Sequence, residues 1–296
     1  MSNAVNASTR ESTPPVACII VNWNNWQDTS ACLESLRVQS YPQLRVIVVD
    51  NGSTDGSLEE LRTLHPGVAY IDNGYNAGFP KACNVGAAAA GDAEFLWFLN
   101  NDTVVPRNTL GELMEKAVVG GDGVVGGVLR YVEGGVQAWG GGSISRWTGY
   151  NTHYVGPAEF GGDSYITFAS ALVRREVFEA LGGLFEGAFM YFEDADFCLR
   201  ARAAGWGLGV AENTAILHKE GGSTKARSAL MDRIITTSGL MFLRRHSPVP
   251  AVSMVLFLGL RIGKRIVLGR WGNLGPVLMG AWDWVQGRST PFGERG

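Results

Sequence analysis

The stretch VACIIVNWNNWQDTSACLESLRVQSYPQLRVIVVD (16–50) decides the fold of this chain. It begins with an apolar, β-rich run at 16–23. It then passes through a polar turn into helical spacing of apolar residues at Thr29–Val38, and it ends in a second apolar run at 44–50. Strand, helix and strand in this order are typical of a parallel sheet. The stretch therefore predicts the first unit of an α/β architecture.

The alternation of strands and helices continues beyond this unit. Helical spacing predicts helices at 57–64, 81–90 and 108–119. β-rich runs predict strands at 68–73, 94–100, 124–131 and 215–218. A strand and helix are predicted over 166–183, and a loop that leads into a helix over 191–206. Together these elements predict a mostly parallel nucleotide-binding sheet flanked by helices over residues 16–103, and a second, acceptor-binding half over 104–246.

Composition excludes several classes of protein. The 296 residues are 46% hydrophobic, enough for a full core, and 25 basic against 28 acidic residues give a net charge of −3, with no field to attract nucleic acid. The cysteines lie far apart without metal-ligand spacing, which predicts reduced core residues at Cys18, Cys32, Cys83 and Cys198. Residues 1–15 are polar and lack the apolar stretch of a signal peptide, which predicts a disordered leader on a cytoplasmic chain.

A glycine-rich stretch over Gly134–Gly162 carries four aromatic residues, Trp139, Trp147, Tyr150 and Tyr154. Flat apolar rings on such a loop suit stacking on pyranose rings, which indicates a sugar-binding face. A hairpin whose rings fill a local core is the alternative. The sequence leaves both interpretations open.

The C-terminal segment, 247–296, differs in character from the rest. Residues 251–260 are nearly all apolar but too few for a membrane span of about 20 residues. Four basic residues follow, namely Arg261, Lys264, Arg265 and Arg270. We expect an amphipathic helical appendage that lies on an anionic membrane surface, peripheral at the inner face of the cell membrane. A helix packed on the core is the alternative.

Acidic residues stand at the carboxyl ends of predicted parallel strands, where open α/β sheets bind ligands. Asp50 closes the second strand and Asp102 follows the fourth. Such carboxylates can accept a hydrogen bond from a nucleoside and hold a divalent cation on a diphosphate. The turn NGSTDGS (51–57) can also be an ordinary Asx turn with a helix cap.

Six motifs occur in a fixed order along the chain: IIVNWNN (19–25), VVDNGSTDGS (48–57), GYNAGF (74–79), LNNDT (99–103), MYFEDADFCLRARAAGW (190–206) and ILHKEGGS (216–223). Together they resemble glycosyltransferase family 2, in particular its bacterial rhamnosyltransferase-like members, over about residues 16–246. The resemblance implies a GT-A fold, a nucleotide-sugar donor, Mn²⁺ or Mg²⁺, and inversion at the anomeric carbon. It favours dTDP-L-rhamnose as donor, with UDP-linked galactofuranose or another UDP-hexose as alternatives.

The resemblance also implies roles for individual residues in binding the donor. Those implied to form the base pocket and the donor loop are Val21, Asn22, Asp50, Asn76, Gly78 and Lys81. A helix start beside a diphosphate offers free N–H groups and a favourable dipole, so this placement is physically sound. Lys81 can instead be a solvated residue of the first helical turn.

Residues Asn100–Asn101–Asp102 stand where the family carries its DxD-type motif. Asp102 is therefore implied to coordinate the cation, and Asn101 to bind the ribose or a metal-bound water. His218 aligns with a histidine that serves as a further metal ligand in related enzymes, although a lone histidine after a strand is commonly structural. The motif supplies one carboxylate instead of two, and an Asp/His set suits Mn²⁺ or Mg²⁺.

Asp194 stands at the family position of the general base, in the sequence EDAD that opens a helix. A carboxylate there is expected to take the proton of the acceptor hydroxyl as it attacks, and helix capping is the alternative role. Asp196 and Arg200 are spaced for an i,i+4 pair, which predicts a structural role for Asp196.

The sequence predicts a transferase that moves a sugar from a nucleoside diphosphate to a hydroxyl of a cell-envelope polysaccharide or lipid-linked acceptor. A non-catalytic nucleotide-sugar-binding subunit is the alternative from the binding class, and intact Asp102, Asp194 and His218 argue against it. A nucleotidyltransferase would carry a glycine-rich, basic phosphate loop near its start, but residues 16–30 contain no glycine, lysine or arginine. The oligomeric state is not readable from the sequence.

Overall fold

The computed structural model describes residues 13–219 and 229–289. The predicted leader lies, up to residue 12, outside the described residues. The strands are β1 Val16–Asn22, β2 Leu44–Asp50, β3 Ala69–Asp72, β4 Phe95–Asn100, β5 Thr103–Val104, β6 Val124–Arg130, β7 Val136–Trp139, β8 Gly141–Ile144, β9 Asn151–His153, β10 Ser164–Ile166, β11 Ser170–Arg174 and β12 Leu208–His218. The helices are α1 Trp26–Arg37, α2 Ser57–Leu64, α3 Phe79–Ala88, α4 Thr109–Gly120, α5 Arg175–Ala180, α6 Glu193–Ala203, α7 Ala229–His246, α8 Pro250–Val267 and α9 Leu274–Val285.

The first half of the chain forms the predicted parallel sheet, in the order β4-β1-β2-β3. The register places Asn22 opposite Asp50 and Val21 opposite Asn100. Because parallel strands end at the same edge, the polar residues that close β1, β2 and β4 meet there. The sheet thus builds the pocket edge that the sequence predicts.

The second half extends this sheet mainly with antiparallel strands. β11 runs antiparallel between β4 and β6, and β7, β8 and β10 follow on the far side of β6. β12 pairs in parallel with β6, shifts register between Ala211 and Ile216, and then pairs antiparallel with β5. His218 consequently stands opposite Thr103, next to the end of β4. The sequence predicts this strand only from residue 215, because polar Glu212 and Asn213 interrupt its β-rich pattern.

The central strands are buried on both faces, as expected for a parallel sheet between two helical layers. Along β1, Ala17 and Ile19 belong to one apolar cluster and Cys18 and Ile20 to the other. The four cysteines are all buried free thiols, which confirms their prediction as reduced core residues. Burial raises the pKa of the Cys32 thiol to about 12, so this thiol stays neutral at physiological pH.

The aromatic residues of the glycine-rich stretch divide between the two predicted roles. Tyr154 is half-buried and packs edge-on against Phe160, with ring centroids 5.4 Å apart. Trp147 and Tyr150 lie in the loop between β8 and β9 with more than half of their surface exposed. The stretch is therefore a packed hairpin that also presents open rings.

The C-terminal helices pack on the main body through one face. Phe257 of α8 is buried against Gly239 of α7 and Gly149 of the β8–β9 loop. A Cβ atom at Gly239 would lie 2.3 Å from the Phe257 ring, so this close approach requires glycine. The face of α8 that carries Phe257 therefore packs on the core, as in the alternative to a membrane helix that the sequence left open. Within the described residues, no helix combines the length and apolarity needed to cross a membrane.

Candidate active site

A chain of hydrogen bonds links the ends of β1, β2 and β4. The Asn22 amide donates to the Asp50 carboxylate at 2.8 Å, and the Thr29 hydroxyl donates to Asn22 Oδ1 at 2.6 Å. The Asn101 amide in turn donates to the Thr29 hydroxyl at 2.9 Å. Asp50 also accepts from the Ser53 hydroxyl and backbone N–H, and both Asn22 and Asp50 are buried. Asp50 is therefore the buried centre of this hydrogen-bonded cluster, while Val21 and Asn101 are partly exposed.

The loop that the resemblance implies to bind the donor, residues 74–79 (the donor loop), is held by hydrogen bonds to Asn51, a residue that sequence reasoning missed. Asn51 is buried, its Oδ1 accepts from the backbone N–H of Ala77 at 3.0 Å, and its amide donates to Asn76 Oδ1 at 2.8 Å. Asn76 Oδ1 also accepts from the N–H of Gly78 at 3.1 Å. The NGS turn is the signal that could have revealed Asn51, since its asparagine directly follows a strand end.

Gly78 lets the donor loop lie against the segment before α6. Its φ is +86°, and a Cβ atom there would come 2.5 Å from the Phe189 carbonyl oxygen. The same carbonyl accepts from the N–H of Phe79 at 2.8 Å. Lys81 is exposed, with its ammonium 5.8 Å from the Tyr75 ring centroid, and a side-chain hydrogen bond with Tyr75 raises the pKa of the lysine. It is therefore a cation at the mouth of the loop, consistent with either predicted role.

Asp102 and His218 lie together although 116 residues separate them in sequence. His218 Nε2 is 3.1 Å from Asp102 Oδ1, and its Nδ1 is 2.7 Å from Gln137 Oε1. Because an amide oxygen only accepts, Nδ1 carries the proton of this hydrogen bond, and in the neutral ring Nε2 is an acceptor, 3.3 Å from the amide nitrogen of Asn100. A histidine ring oriented in this way by a hydrogen bond at its other nitrogen is suited to hold a metal through Nε2.

The Asp102 carboxylate and the His218 ring suit a divalent cation that takes its other ligands from a bound diphosphate and from water. Imidazole nitrogen and carboxylate oxygen are both ligands of Mn²⁺. Within residues 13–219 and 229–289, no group of three His, Cys, Asp or Glu side chains could hold a metal alone. The remaining ligands would come from the nucleotide and water, as is usual for cations that bind nucleoside diphosphates.

Asp194 lies in the first turn of α6, which follows two residues in the left-handed conformation, Tyr191 with φ of 71° and Phe192 with φ of 69°. These two residues form the turn that leads into the helix. The Asp194 Oδ1 atom accepts from the N–H of Ala195 at 2.7 Å. Burial raises the pKa of Asp194 to about 6. The residue thus has the character of a base whose strength is matched to near-neutral pH.

Glu193 is a buried carboxyl group that the sequence did not single out. Its Oε2 has no hydrogen-bond partner in the described part of the chain. Burial, followed by the charge of Asp194, raises the pKa of Glu193 well above its ordinary range. At neutral pH, Glu193 therefore tends to hold a proton and leaves the negative charge on Asp194.

Asp196 has the predicted structural role. Its carboxylate accepts from Arg200 at 2.8 Å, which confirms the i,i+4 pair, and also from Arg245 at 2.8 Å and His246 at 2.7 Å. The hydrogen bond to His246 and the charges of the two arginines lower the pKa of Asp196 to about 2 despite its burial. Asp196 consequently anchors α6, and with it Asp194, to the end of α7.

The structure brings the predicted residues together in two clusters, the strand-end pocket with its Asp102–His218 pair and the α6 start with Asp194. The donor loop touches the segment that leads into α6, and so it connects the two. The polar edge of the sheet, the Asp102–His218 pair and the Asp194 carboxylate are the features expected of a glycosyltransferase. The chain belongs to glycosyl transferase family 2, whose pattern matches residues 17–182.

Relatives with curated names are similar to most of the chain. The O-antigen biosynthesis protein RfbC of Myxococcus xanthus is 33% identical over 230 residues, which cover 72% of this chain and 18% of that protein. The N-acetylglucosaminyl-diphospho-decaprenol L-rhamnosyltransferase of Mycobacterium tuberculosis is 29% identical over 223 residues, 65% of this chain and 72% of the relative. The chain thus spans less than a quarter of the first two relatives it matches.

Solved structures share the fold at low identity. The mannosyltransferase PcManGT from Pyrobaculum calidifontis, in complex with GDP-Man and Mn²⁺, superposes with a TM-score of 0.60 at 16% identity and covers 95% of this chain and 78% of that chain. GalNAc-T7 with UDP, GalNAc and Mn²⁺ gives a TM-score of 0.59 at 16% identity, covering 86% of this chain and 58% of that chain. The chain therefore has the GT-A fold of a glycosyltransferase.

Proposed function

We propose that this glycosyltransferase is metal-dependent and inverting, and that it moves L-rhamnose from dTDP-rhamnose to a hydroxyl of a cell-envelope polysaccharide or lipid-linked acceptor. The observation that carries the proposal is the His218–Asp102 pair at the carboxyl edge of the sheet, with Gln137 setting the tautomer of the ring. The similarity to a rhamnosyltransferase of M. tuberculosis supports the sugar. A UDP-hexose or UDP-galactofuranose donor is the alternative on the same fold.

Different residues of the chain have different roles in the proposed reaction. Asn22, Asp50 and Asn101 hold the nucleoside end of the donor, and the loop with Asn76, Gly78 and Lys81 cradles its diphosphate. Asp102 and His218 would hold Mn²⁺ or Mg²⁺, which neutralises charge on the leaving diphosphate when bound. The positive end of α3 assists in the same way.

Asp194 supplies the proton acceptor. As the acceptor hydroxyl oxygen bonds to the anomeric carbon, its proton passes to the Asp194 carboxylate. The bond between the anomeric carbon and the diphosphate oxygen breaks, and the diphosphate leaves with the electron pair. Attack opposite the leaving group inverts the anomeric configuration, and no covalent enzyme intermediate is required.

The acceptor proposal places the enzyme at the inner face of the cell membrane. Both named relatives act, by their names, on envelope glycans or on a diphospho-decaprenol-linked sugar. A lipid-linked acceptor of this kind lies at the membrane surface, and the enzyme would work there as a peripheral protein.

The test combines purified protein, Mn²⁺ and a panel of nucleotide sugars with a crude lipid-linked glycan extract, and measures the released nucleoside diphosphate. Wild type is expected to turn over one donor, and Asp194→Asn to reduce its kcat by about 10² to 10⁴ while donor affinity stays the same. Asp102→Ala is expected to lose Mn²⁺-dependent donor binding. Glu179→Gln, an exposed carboxylate on α5, is the matched control with full activity.

The same experiment separates the enzyme from a silent binding subunit. A nucleotide sugar that binds to the wild type but is turned over with none of the acceptors would favour the binding subunit. Equal turnover by wild type and Asp194→Asn would remove Asp194 from the role of base.

A further inference from the structure

The outer faces of α8 and α9 expose many large apolar side chains. On α8 they recur at helical spacing, so they form one stripe along the helix. α9 and the turn before it add two tryptophans, each about 60% exposed. The exposed set, which we term the apolar face, comprises Val252, Val255, Leu256, Leu260, Ile266, Val267, Leu268, Trp271, Leu278, Met279, Trp282 and Val285.

The opposite stripes of both helices pack on α7. On α8, Phe257 meets Gly239, and Arg261 donates to Asp232 at 2.9 Å. On α9, the carbonyl of Gly280 accepts from the Thr237 hydroxyl at 3.0 Å. The apolar face therefore points away from α7 and lies open in the described structure. Monomeric proteins rarely expose an apolar patch of this extent unless it binds a partner.

The exposed charges that α8, α9 and the segments joining and following them carry have one sign. Over residues 249–289 the exposed charged side chains are Lys264, Arg270 and Arg288. The acidic residue of this range, Asp283, is buried and paired with Arg233. An apolar surface bordered by cations and tryptophans complements an anionic lipid surface, where the rings sit at the headgroup level and the cations meet lipid phosphates.

Two residues of the predicted basic cluster do not belong to this border. Arg261 and Arg265 turn inward and both bind the buried carboxylate of Asp232. The sequence predicted that the segment carrying Arg261, Lys264, Arg265 and Arg270 lies on an anionic membrane surface. Of these four residues, Lys264 and Arg270 are exposed and can meet a lipid surface.

The apolar face adjoins the acceptor side of the catalytic centre through the β8–β9 hairpin. At the tip of the hairpin, Gly149 contacts Phe257 of α8, and the exposed rings of Trp147 and Tyr150 flank it. At its base, β8 pairs with β10, which carries Tyr165. Burial and, after it, the charge of Asp194 raise the pKa of Tyr165, so this tyrosine lies near the proposed base.

We propose that the apolar face docks the protein on an anionic bilayer and that the β8–β9 tip receives a lipid-anchored acceptor beside the membrane. The proposal rests on the proposed function for the nature of the acceptor, whereas the docking itself rests on the surface alone. The occupant of the face is the lipid bilayer. A second copy of the chain is the outcome that the test must exclude.

The experiment measures sedimentation of purified protein with neutral phosphatidylcholine vesicles and with vesicles that also contain anionic phosphatidylglycerol. Wild type is expected to bind the anionic vesicles more tightly, and binding should weaken in 0.5 M salt because salt screens the charges. Lys264→Gln with Arg270→Gln is expected to weaken this binding about tenfold or more. Leu260→Gln with Trp282→Gln is expected to weaken binding to both kinds of vesicle.

Matched controls lie on the other side of the molecule. Val119→Gln removes an exposed apolar residue of α4, and Arg107→Gln removes an exposed cation; both are expected to bind as wild type does. Circular dichroism melts of all variants show that they are folded. Wild type that stays in the supernatant, or apolar-face variants that bind as well as the controls, would overturn the proposal. So would a dimer in light scattering that Leu260→Gln with Trp282→Gln dissociates.

Activity assays keep this proposal distinct from the proposed function. With a water-soluble acceptor analogue, the apolar-face variants are expected to keep wild-type turnover. With the acceptor embedded in anionic vesicles, their turnover is expected to fall at least as far as their binding. Vesicle binding without turnover of any donor would reject the function and leave the docking surface standing, whereas equal loss on both acceptors would reject the assigned role of the face.

Discussion

Asp194 and Glu193 are neighbours at the start of α6, and both are carboxyl groups withdrawn from water. Burial raises the pKa of both, but Glu193 is affected more because the charge of Asp194 acts on it as well. Pushing the pKa values of two adjacent carboxyl groups apart gives them different protonation states at neutral pH. The charge then resides on Asp194, the residue that we propose as the base.

The raised pKa predicts an acid limit to activity. A base must be deprotonated, so kcat/KM is expected to fall as the pH drops through about 6, whereas an ordinary aspartate would stay active to about pH 4. The measurement is kcat/KM from pH 4.5 to 8.5. Repeating the profile at several Mn²⁺ concentrations controls for protonation of His218, since loss of metal would move the limb with Mn²⁺. Full activity at pH 4.5 would contradict the assignment.

Gln137 is predicted to act on the metal through His218. Its Oε1 accepts from His218 Nδ1, and so Nε2 is the ring nitrogen that would hold the proposed cation. Gln137→Ala is expected to weaken Mn²⁺ binding, measured by calorimetry with nucleoside diphosphate present, by about 10- to 100-fold. Gln137→Glu keeps an acceptor oxygen and is expected to preserve the affinity. Unchanged Mn²⁺ binding in Gln137→Ala would show that the ring is held by other contacts.

At the scale of elements, a buried ion cluster joins α7 to α8. Asp232 is buried and accepts from both Arg261 and Arg265, and the amide of Asn273 donates to it at 2.6 Å. Arg233 pairs with buried Asp283 and joins α7 to α9 in the same way. The C-terminal helices are therefore held to the main body by ion pairs as well as by apolar contacts.

Asp232→Ala is expected to lower the free energy of unfolding by about 3–5 kcal/mol, because it leaves two arginines without their buried partner. The measurement is urea denaturation followed by circular dichroism. Asp163→Ala breaks an exposed pair with Arg146 and serves as control, with an expected change of about 0–1 kcal/mol. Equal effects of the two substitutions would mean that α8 contributes little to the folded state.

At the scale of the whole molecule, the proposed donor site draws on β1, β2, β4, α3 and β12. These elements contribute residues from Val21 to His218, so a ligand bound there stabilises most of the fold at once. Ligand that binds only the folded state adds about 2.7 kcal/mol at 100 times its Kd.

Nucleoside diphosphate with Mn²⁺ is accordingly expected to raise the Tm by about 5–10 °C at that concentration, as measured by scanning calorimetry. Thymidine and uridine diphosphates are compared with adenosine diphosphate to identify the base. Asp102→Ala is expected to abolish the part of the shift that depends on Mn²⁺. No shift with any of these nucleotides would place the donor site elsewhere.

The sequence predicted the strands of the parallel half, the GT-A class and the family, while the roles of individual site residues stay predictions. Strands β1 to β4 were predictable because their apolar runs are continuous and bounded by turns. Asn51 and Gln137 were missed because their roles depend on hydrogen bonds to residues 25 or more positions away. The NGS turn marks the position of Asn51 but not its distant partners, and no local pattern marks Gln137.

Local patterning by itself determined which segments become strands and helices, and it placed Asp50 and Asp102 at strand ends. Because parallel strands share their carboxyl edge, it also placed these two residues at the same edge of the sheet. The tertiary structure alone decided that His218 meets Asp102 and that Arg261 and Arg265 turn inward to Asp232. It also decided that one face of α8 is core and the other is open. These outcomes depend on which elements pack together. Buried polar groups need hydrogen-bond partners, and in this fold the partners come from distant parts of the chain, which no local pattern in the sequence can identify.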